Sequence, residues 1–290
     1  TNGAAGIDLA YRVAREHFDP DAINRVILAT DGDFNVGVTN QGDLIRMIEE
    51  RARQGVFLTV LGFGMGNYKD STLEKLADRG NGNYAYIDTF EEAKKVLVEE
   101  LGGTLVTVAK DVKIQVEFNP AYVTAYRLIG YENRLLADQD FNDDKKDAGE
   151  IGAGLTVTAL FELVPRGVPI QIPEVDPLKY QAPRQPTASM NPELLTAKLR
   201  YKQPDGDTSR LLQSAVVDRN TPFRSASDDF RFAAAVASFG MLLRDSPHKG
   251  NASFADVIST AERSIGPDPG GYRWDFVRLV RRAEVLHTGR

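Results

Sequence analysis

The sequence contains no cysteine. That excludes disulfides, thiolate nucleophiles and cysteine-ligated zinc or iron–sulfur centres. It leaves the compartment undecided, because cytosolic and bacterial envelope proteins can both lack the residue. Long apolar runs are missing as well: nowhere do about 18 apolar residues follow one another, and no basic segment at the start leads into an apolar one. The sequence therefore reads as a soluble chain with neither membrane span nor signal peptide. Surplus positive charge is the third absence. With 35 Lys and Arg against 41 Asp and Glu the formal charge is −6, whereas nucleic-acid binding needs clustered positive charge to release counterions. Nucleic acid is disfavoured as a partner. Histidine is scarce: His17, His248 and His287 are far apart and none stands beside a motif acid, so they read as surface or helix-end residues.

What is present suffices for two cores, since the chain has 290 residues of which 42% are hydrophobic. Residues 3–17 place Ile7, Ala10, Tyr11 and Ala14 at helical spacing, continued by Phe18, with Asp8, Arg12, Arg15 and Glu16 elsewhere on the wheel. Val26-Ile27-Leu28-Ala29-Thr30-Asp31-Gly32-Asp33 then reads as a buried parallel strand that ends by presenting a carboxylate. In open α/β sheets ligands bind at that edge, which singles out Asp31. A loop over 31–40 follows, then a helix over 41–53 with Leu44, Ile45, Ile48 and Ala52 inward, and a strand over 56–61. That strand is closed by Gly62-Phe63-Gly64-Met65-Gly66, a glycine run better explained as a tight turn than as a dinucleotide loop, because no strand-end acid follows at the required distance. A helix over 71–78, a strand over 84–87 and a helix over 90–101 complete an alternation of βαβ type.

Gly102-Gly103 marks a break, after which the period changes. Val112, Ile114, Val116 and Phe118 alternate with Lys113, Gln115 and Glu117, the mark of a strand with one face in a core and one in water. Further strands are expected over 121–131, 155–164, 195–202 and 209–217, the last two alternating clearly, so an antiparallel β region of sandwich type is predicted. Two loops interrupt it. One, 138–147, is acidic, and the other, roughly 166–192, is rich in proline and should run extended over the surface. From Ser227 helical spacing returns. Ser227 caps a helix with Asp228 and Asp229 in its first turn and Phe230, Ala233, Ala237, Met241 and Leu243 following. Ser253 opens a second helix, and a third over 272–286 turns Phe276, Leu279, Val280 and Ala283 inward. The expected organisation is an α/β part over 1–101, the C-terminal half of a doubly wound domain; a β-sandwich-like region over 104–220; and a helical region over 221–290 that packs with it.

A strand-end Asp with Thr-containing loops nearby supplies hard oxygen ligands suited to Mg²⁺, Ca²⁺ or Mn²⁺. Thr1-Asn2-Gly3-Ala4-Ala5-Gly6-Ile7, followed by Ile27-Leu28-Ala29-Thr30-Asp31-Gly32-Asp33-Phe34-Asn35-Val36-Gly37, resembles the second and third elements of the metal-ion-dependent adhesion site of von Willebrand factor type A domains. The resemblance implies that Thr1 and Asp31 are metal ligands and that Asp33 joins the outer shell or is a solvated loop carboxylate. It also implies that a partner protein is captured through a carboxylate on the ion. The family's first element, Asp-x-Ser-x-Ser, does not occur in these 290 residues. The chain is therefore expected to start inside such a domain, with the site incomplete and no well-coordinated ion at Asp31. Without the strand that pairs with 26–29, an unpaired apolar edge would be exposed, an aggregation liability, so the intact protein is expected to be longer.

The resemblance continues beyond the site. Residues 126–134 (Tyr-Arg-Leu-Ile-Gly-Tyr-Glu-Asn-Arg) and 140–152, with 232–243 and the helix opened by Gly271-Tyr272-Arg273, are similar to the region after the VWA domain in the YfbK-like family of bacterial proteins. Members of that family look exported, which suggests the cell envelope. Four other features have competing readings. A terminal Thr1 fits an N-terminal nucleophile hydrolase poorly, because a helix follows it at once. Asp138, Asp140, Asn142 and Asp144 have the spacing of a calcium loop, but the sixth position is Asp143 where Gly is needed and the twelfth is Gly149 where Glu is needed; a polar loop with local side-chain bonding is preferred. Arg273, Arg278, Arg281, Arg282 and Arg290 give the last helix a basic side, read as a solvated face or one that pairs with the acidic first domain, with an anionic-lipid or partner contact as the lesser alternative. No nucleophile–base set or phosphate loop stands out. The functional readings are thus a metal-dependent, non-catalytic protein-binding module and, as the alternative, a metal-independent scaffold of an envelope assembly.

Overall fold

The structure, a computed structural model, describes residues 3–31, 41–64, 70–131, 135–146, 148–170 and 192–288. Thr1 and Asp33 lie outside the described residues. The chain divides into two compact units: residues 1–115, 136–157 and 198–213, and residues 116–135, 158–197 and 214–290.

In the first unit helices and strands alternate: α1 (Gly3–Glu16), β1 (Arg25–Thr30), α2 (Gln41–Arg53), β2 (Phe57–Phe63), α3 (Asp70–Arg79), β3 (Tyr84–Ile87) and α4 (Phe90–Lys94). The strands form a parallel sheet in the order β1-β2-β3, with Thr30 level with Gly62 and Phe63 level with Ile87. Apolar residues on both faces of β2 explain its central place: one face packs Leu58 and Val60 with Ile7 and Tyr11 of α1, Ile48 of α2 and Leu73 and Leu76 of α3. The other face packs Leu61 and Ile87 against Val96. This α/β arrangement is the one anticipated from the alternation. Phe18 departs from it, standing 42% exposed beyond the end of α1.

The helix expected over 90–101 is broken into three. Thr89 caps α4, its hydroxyl accepting from the Glu92 amide at 3.1 Å; a π-helical turn follows at Lys95–Glu99, and then α5 (Leu101–Leu105). Gly102 and Gly103 thus lie within a helical turn where a break was expected. Close approach explains the second glycine, because a Cβ at Gly103 would meet the Ala153 carbonyl at 2.9 Å, and one at Gly152 would sit 1.7 Å from the Gly103 carbonyl oxygen.

The strands that follow are β4 (Thr107–Phe118), β5 (Val123–Ile129), β6 (Gly149–Gly152), β7 (Leu160–Pro165), β8 (Glu193–Lys202) and β9 (Ser209–Val217). One sheet has the order β6-β4-β8-β9, with β4 and β6 antiparallel, and a second pairs β5 with β7 antiparallel. The inward and outward assignments over β4 are reversed at its centre: Lys113 is 4% exposed and Ile114 47%. β9 also departs from a half-buried strand, being exposed from Arg210 through Val217.

In the second unit α6 (Asp228–Leu243), α7 (Phe254–Glu262) and α8 (Tyr272–Thr288) share a core of Ala235, Phe239, Phe254, Val257, Ala261, Val277 and Val280. The Ser227 hydroxyl accepts from the Phe230 amide and that of Ser253 from the Asp256 amide, so both expected caps are in place. Leu279 was expected inward on α8; it is exposed, and Val277 takes the inward position. Among the described residues no helix is long and apolar enough to cross a membrane.

Candidate functional site

Parallel register fixes where the strand-end residues lie. Because Thr30 is level with Gly62, Asp31 leaves β1 beside the end of β2, and a Cβ built on Gly64 would be 3.9 Å from the Asp31 Cβ. Gly64 has φ +97°, a backbone conformation that suits glycine. Its carbonyl accepts from the Tyr86 hydroxyl at 2.6 Å, tying the end of β2 to β3. Asp31 is exposed at this edge. The sequence thus placed Asp31 at the carboxyl edge of the parallel sheet, where the structure has it. Thr1 and Asp33, the other residues named for the same site, are not among those described.

The described residues do not supply a chelate there: no group of three or more His, Cys, Asp or Glu able to hold a metal ion occurs among them. Hard divalent cations need several oxygen ligands, and one aspartate does not provide them. A cation at this edge is a claim of the resemblance that the described residues leave unsupported.

The acidic loop is the polar loop with local side-chain bonding that was preferred, Asp143 Oδ1 accepting from the Lys145 amide at 2.9 Å, and it is also held by basic residues from outside it. Residues Asp138–Asn142 form a 3₁₀ turn anchored by Phe141, which is buried. The Lys113 ammonium donates to the carbonyls of Asp140 (3.1 Å) and Asp143 (2.5 Å). That of Lys202, 8% exposed, donates to the Asp144 carbonyl (2.7 Å) and to Asp111 Oδ2 (2.6 Å). Asp144 Oδ1 in turn accepts from Ser209 Oγ (2.6 Å) and from Arg200 Nη2 (2.8 Å). The Ser209 hydroxyl, then the Arg200 guanidinium, hold the Asp144 carboxyl down at about 2. Two ammonium groups from outside the loop thus hold its backbone carbonyls, and this is why Lys113 is turned inward. The pairings made by Lys113, Lys202, Ser209 and Arg200 are not local, Lys202 and Asp111 being 91 residues apart, whereas Lys146 pairs with Asp140 at 3.1 Å within the loop.

Elsewhere in the first unit a cavity of about 180 Å³ opens between β2, β3 and the π turn, lined by Thr59, Asn83, Val96 and Glu100 among others. It is smaller than the ~300 Å³ at which ligand pockets begin, and it does not include Asp31. His17, His248 and His287 are exposed. The arginines of α8 are largely paired within the helical unit: Arg273 with Asp229, Arg278 with Asp275 and Arg281 with Glu262.

Residues 103–286 match the family described as "Uncharacterized protein YfbK, C-terminal". Over 286 residues the chain is 45% identical to "Uncharacterized protein YfbK" of Escherichia coli (strain K12), a match covering 98% of this chain and 48% of that protein. The chain thus spans about half the length of this curated relative. Among solved structures, a von Willebrand factor type A protein from Catenulispora acidiphila is 14% identical, with 97% of this chain and 62% of that one covered and a TM-score of 0.38. The conserved hypothetical protein BatB from Bacteroides thetaiotaomicron is 20% identical over 31% of this chain and 55% of that one, with a TM-score of 0.26.

Proposed function

Because the chain belongs to the family defined by the C-terminal region of YfbK, we propose that it is a protein-binding module and not an enzyme. The observation that carries this reading is Asp31, an exposed carboxylate at the carboxyl edge of a parallel sheet, the edge at which α/β folds bind their ligands. In the proposal Asp31 is one oxygen ligand of Mg²⁺, or of Ca²⁺ or Mn²⁺. Thr1 and an Asp-x-Ser-x-Ser segment of the longer protein supply others, and Asp33 belongs to the outer shell. A carboxylate of the partner protein completes the coordination.

Exposed apolar groups beside β1 support the same reading. Ile27 on β1 is 44% exposed, and Leu9 and Val13 on α1 are 54% and 47% exposed, while β1 is an edge strand of its sheet among the described residues. A further strand and helix laid along β1 would bury them.

The test is capture of partner proteins by the full-length protein with Mg²⁺ and with chelator, repeated for Asp31→Ala. Capture lost in chelator and lost in the variant, with the variant's unfolding midpoint unchanged, supports the reading. Capture that survives both overturns the metal. The second reading is a metal-independent scaffold of an envelope assembly. On that reading capture persists in chelator and disappears when residues from 104 onward are deleted.

A further inference from the structure

The cavity of about 180 Å³ in the first unit is small for a drug-sized ligand, but a cavity of about 150 Å³ takes benzene, a molecule of about six heavy atoms. Its floor is the face of the parallel sheet turned away from α1, α2 and α3, to which side-chain alternation directs Thr59 and Leu61 of β2. Thr59 is fully buried, and Asn83, the residue before β3, lines the same floor. Val96 and Leu155 line the rest with carbon, and Glu100 adds a carboxylate. Val96 and Glu100 come from the π-helical turn at Lys95–Glu99, closed by the Glu100 amide donating to the Lys95 carbonyl at 2.8 Å. Such turns are rare, and they occur frequently at functional sites.

The carboxylate has no counterpart. Glu100 is half-buried, and among the described residues its side chain has neither ion pair nor hydrogen bond. The lysines nearest in sequence are committed elsewhere, Lys95 to Glu92 at 2.7 Å and Lys94 to Glu99 at 3.8 Å. No residue lining the cavity is basic; Arg25, which donates to Thr59 Oγ1 at 2.7 Å, is not among them and has Glu150 close by. A carboxylate partly withdrawn from water without a partner is costly, and a bound cation would remove that cost. A second cleft, of about 290 Å³, shares Glu100 and Leu155 with the first, adds Glu99 and also has no basic residue on its wall. A cation arriving there meets two carboxylates and no repelling charge.

We propose that the cavity binds a primary alkylammonium group of about four carbons, a length set by the volume, with its nitrogen on Glu100 and its chain along Leu61, Val96 and Leu155. A free aliphatic amine and a lysine side chain of another protein share this chemistry.

Saturation-transfer NMR on the full-length protein tests the site with n-butylamine hydrochloride as the probe. n-Butanol, the uncharged isostere, should bind at least tenfold more weakly, a comparison that needs no variant. Glu100→Gln keeps the volume and removes the charge, and should weaken n-butylamine at least tenfold with the unfolding midpoint unchanged, while Glu99→Gln changes it less than twofold. Nα-acetyl-lysine methylamide separates the two sources: affinity equal to that of n-butylamine supports the site as one for a lysine side chain, and its exclusion while n-butylamine binds supports a free amine. No saturable transfer from n-butylamine at about 10 mM overturns the proposal. So does equal binding of n-butanol, which would mark an unspecific apolar cavity, and so do equal losses in the two glutamine variants, which would mark general attraction to an acidic surface.

Discussion

The Lys202 ammonium lies 2.6 Å from Asp111 Oδ2, with the two side chains 10% and 16% exposed. A pair so far from water is asymmetric in its consequences: removing one member leaves the other charge buried and unmatched, which is worse than removing both. Lys202→Met is therefore expected to lower unfolding stability by about 3 kcal/mol. The double variant Lys202→Met with Asp111→Asn should recover most of the loss. Asparagine also tolerates the left-handed backbone at position 111, where φ is +51°. Equilibrium urea unfolding of the three proteins checks both statements, and equal losses in single and double variants would count against the pair.

Acid should release the loop at Asp144. Its carboxyl sits at about 2 in the fold against an ordinary value of 3.8. A lowered value means stabilisation that is complete above the unfolded pKa and is lost as the pH falls from about 4 towards 2. Ser209 contributes the largest share of the lowering, so Ser209→Ala should move the Asp144 titration upward. The side-chain carboxyl carbon shift of Asp144, followed by NMR against pH, reads this directly.

Tyr11 is fully buried, and its hydroxyl has no hydrogen-bond partner among the described residues. Deleting an unsatisfied buried hydroxyl removes a desolvation cost without breaking a bond, so Tyr11→Phe should be neutral or stabilising by up to about 1 kcal/mol. Burial also pushes the phenol up from its ordinary value of 10.0. Its neutral form therefore contributes fully below pH 10 and loses that contribution as the pH rises through the folded value. The variant should be less sensitive to alkali, as thermal unfolding at pH 7 and pH 11 would show.

Arg273 joins three parts of the helical unit. One guanidinium nitrogen donates to the carbonyls of Ser264 and Ile265, each at 3.1 Å, another pairs with Asp229, and the group lies 4.9 Å over the Phe232 ring. Arg273→Ala should cost about 2–3 kcal/mol, and Arg273→Lys should rescue little, since an ammonium cannot make that fork and stack at once. Thermal unfolding followed at Trp274, the chain's one tryptophan, reads this unit.

Local pattern carried the alternation of helices and strands because it lies in consecutive residues: the run at 26–29, the helical spacing of Leu44, Ile45 and Ile48, and the caps at Ser227 and Ser253. It failed where distant residues decide. A period of two cannot say which face is buried, and at Lys113 the choice is made by carbonyls of Asp140 and Asp143, 27 and 30 residues away. β6 has four residues, two of them glycine, too few to show a period. Of the candidate site, the edge position of Asp31 was legible, since a strand that ends in Thr-Asp-Gly shows it directly. The lysine network was not legible, because basic residues within strands look like solvated ones until the loop that covers them is placed.

Lys113 and Lys202 give the acidic loop a further property. Its positive charges are part of the polypeptide, so they are delivered with it at synthesis and cannot be stripped by dilution or by a competing chelator. Residues 138–146 should therefore keep one shape in calcium-rich and calcium-starved media alike.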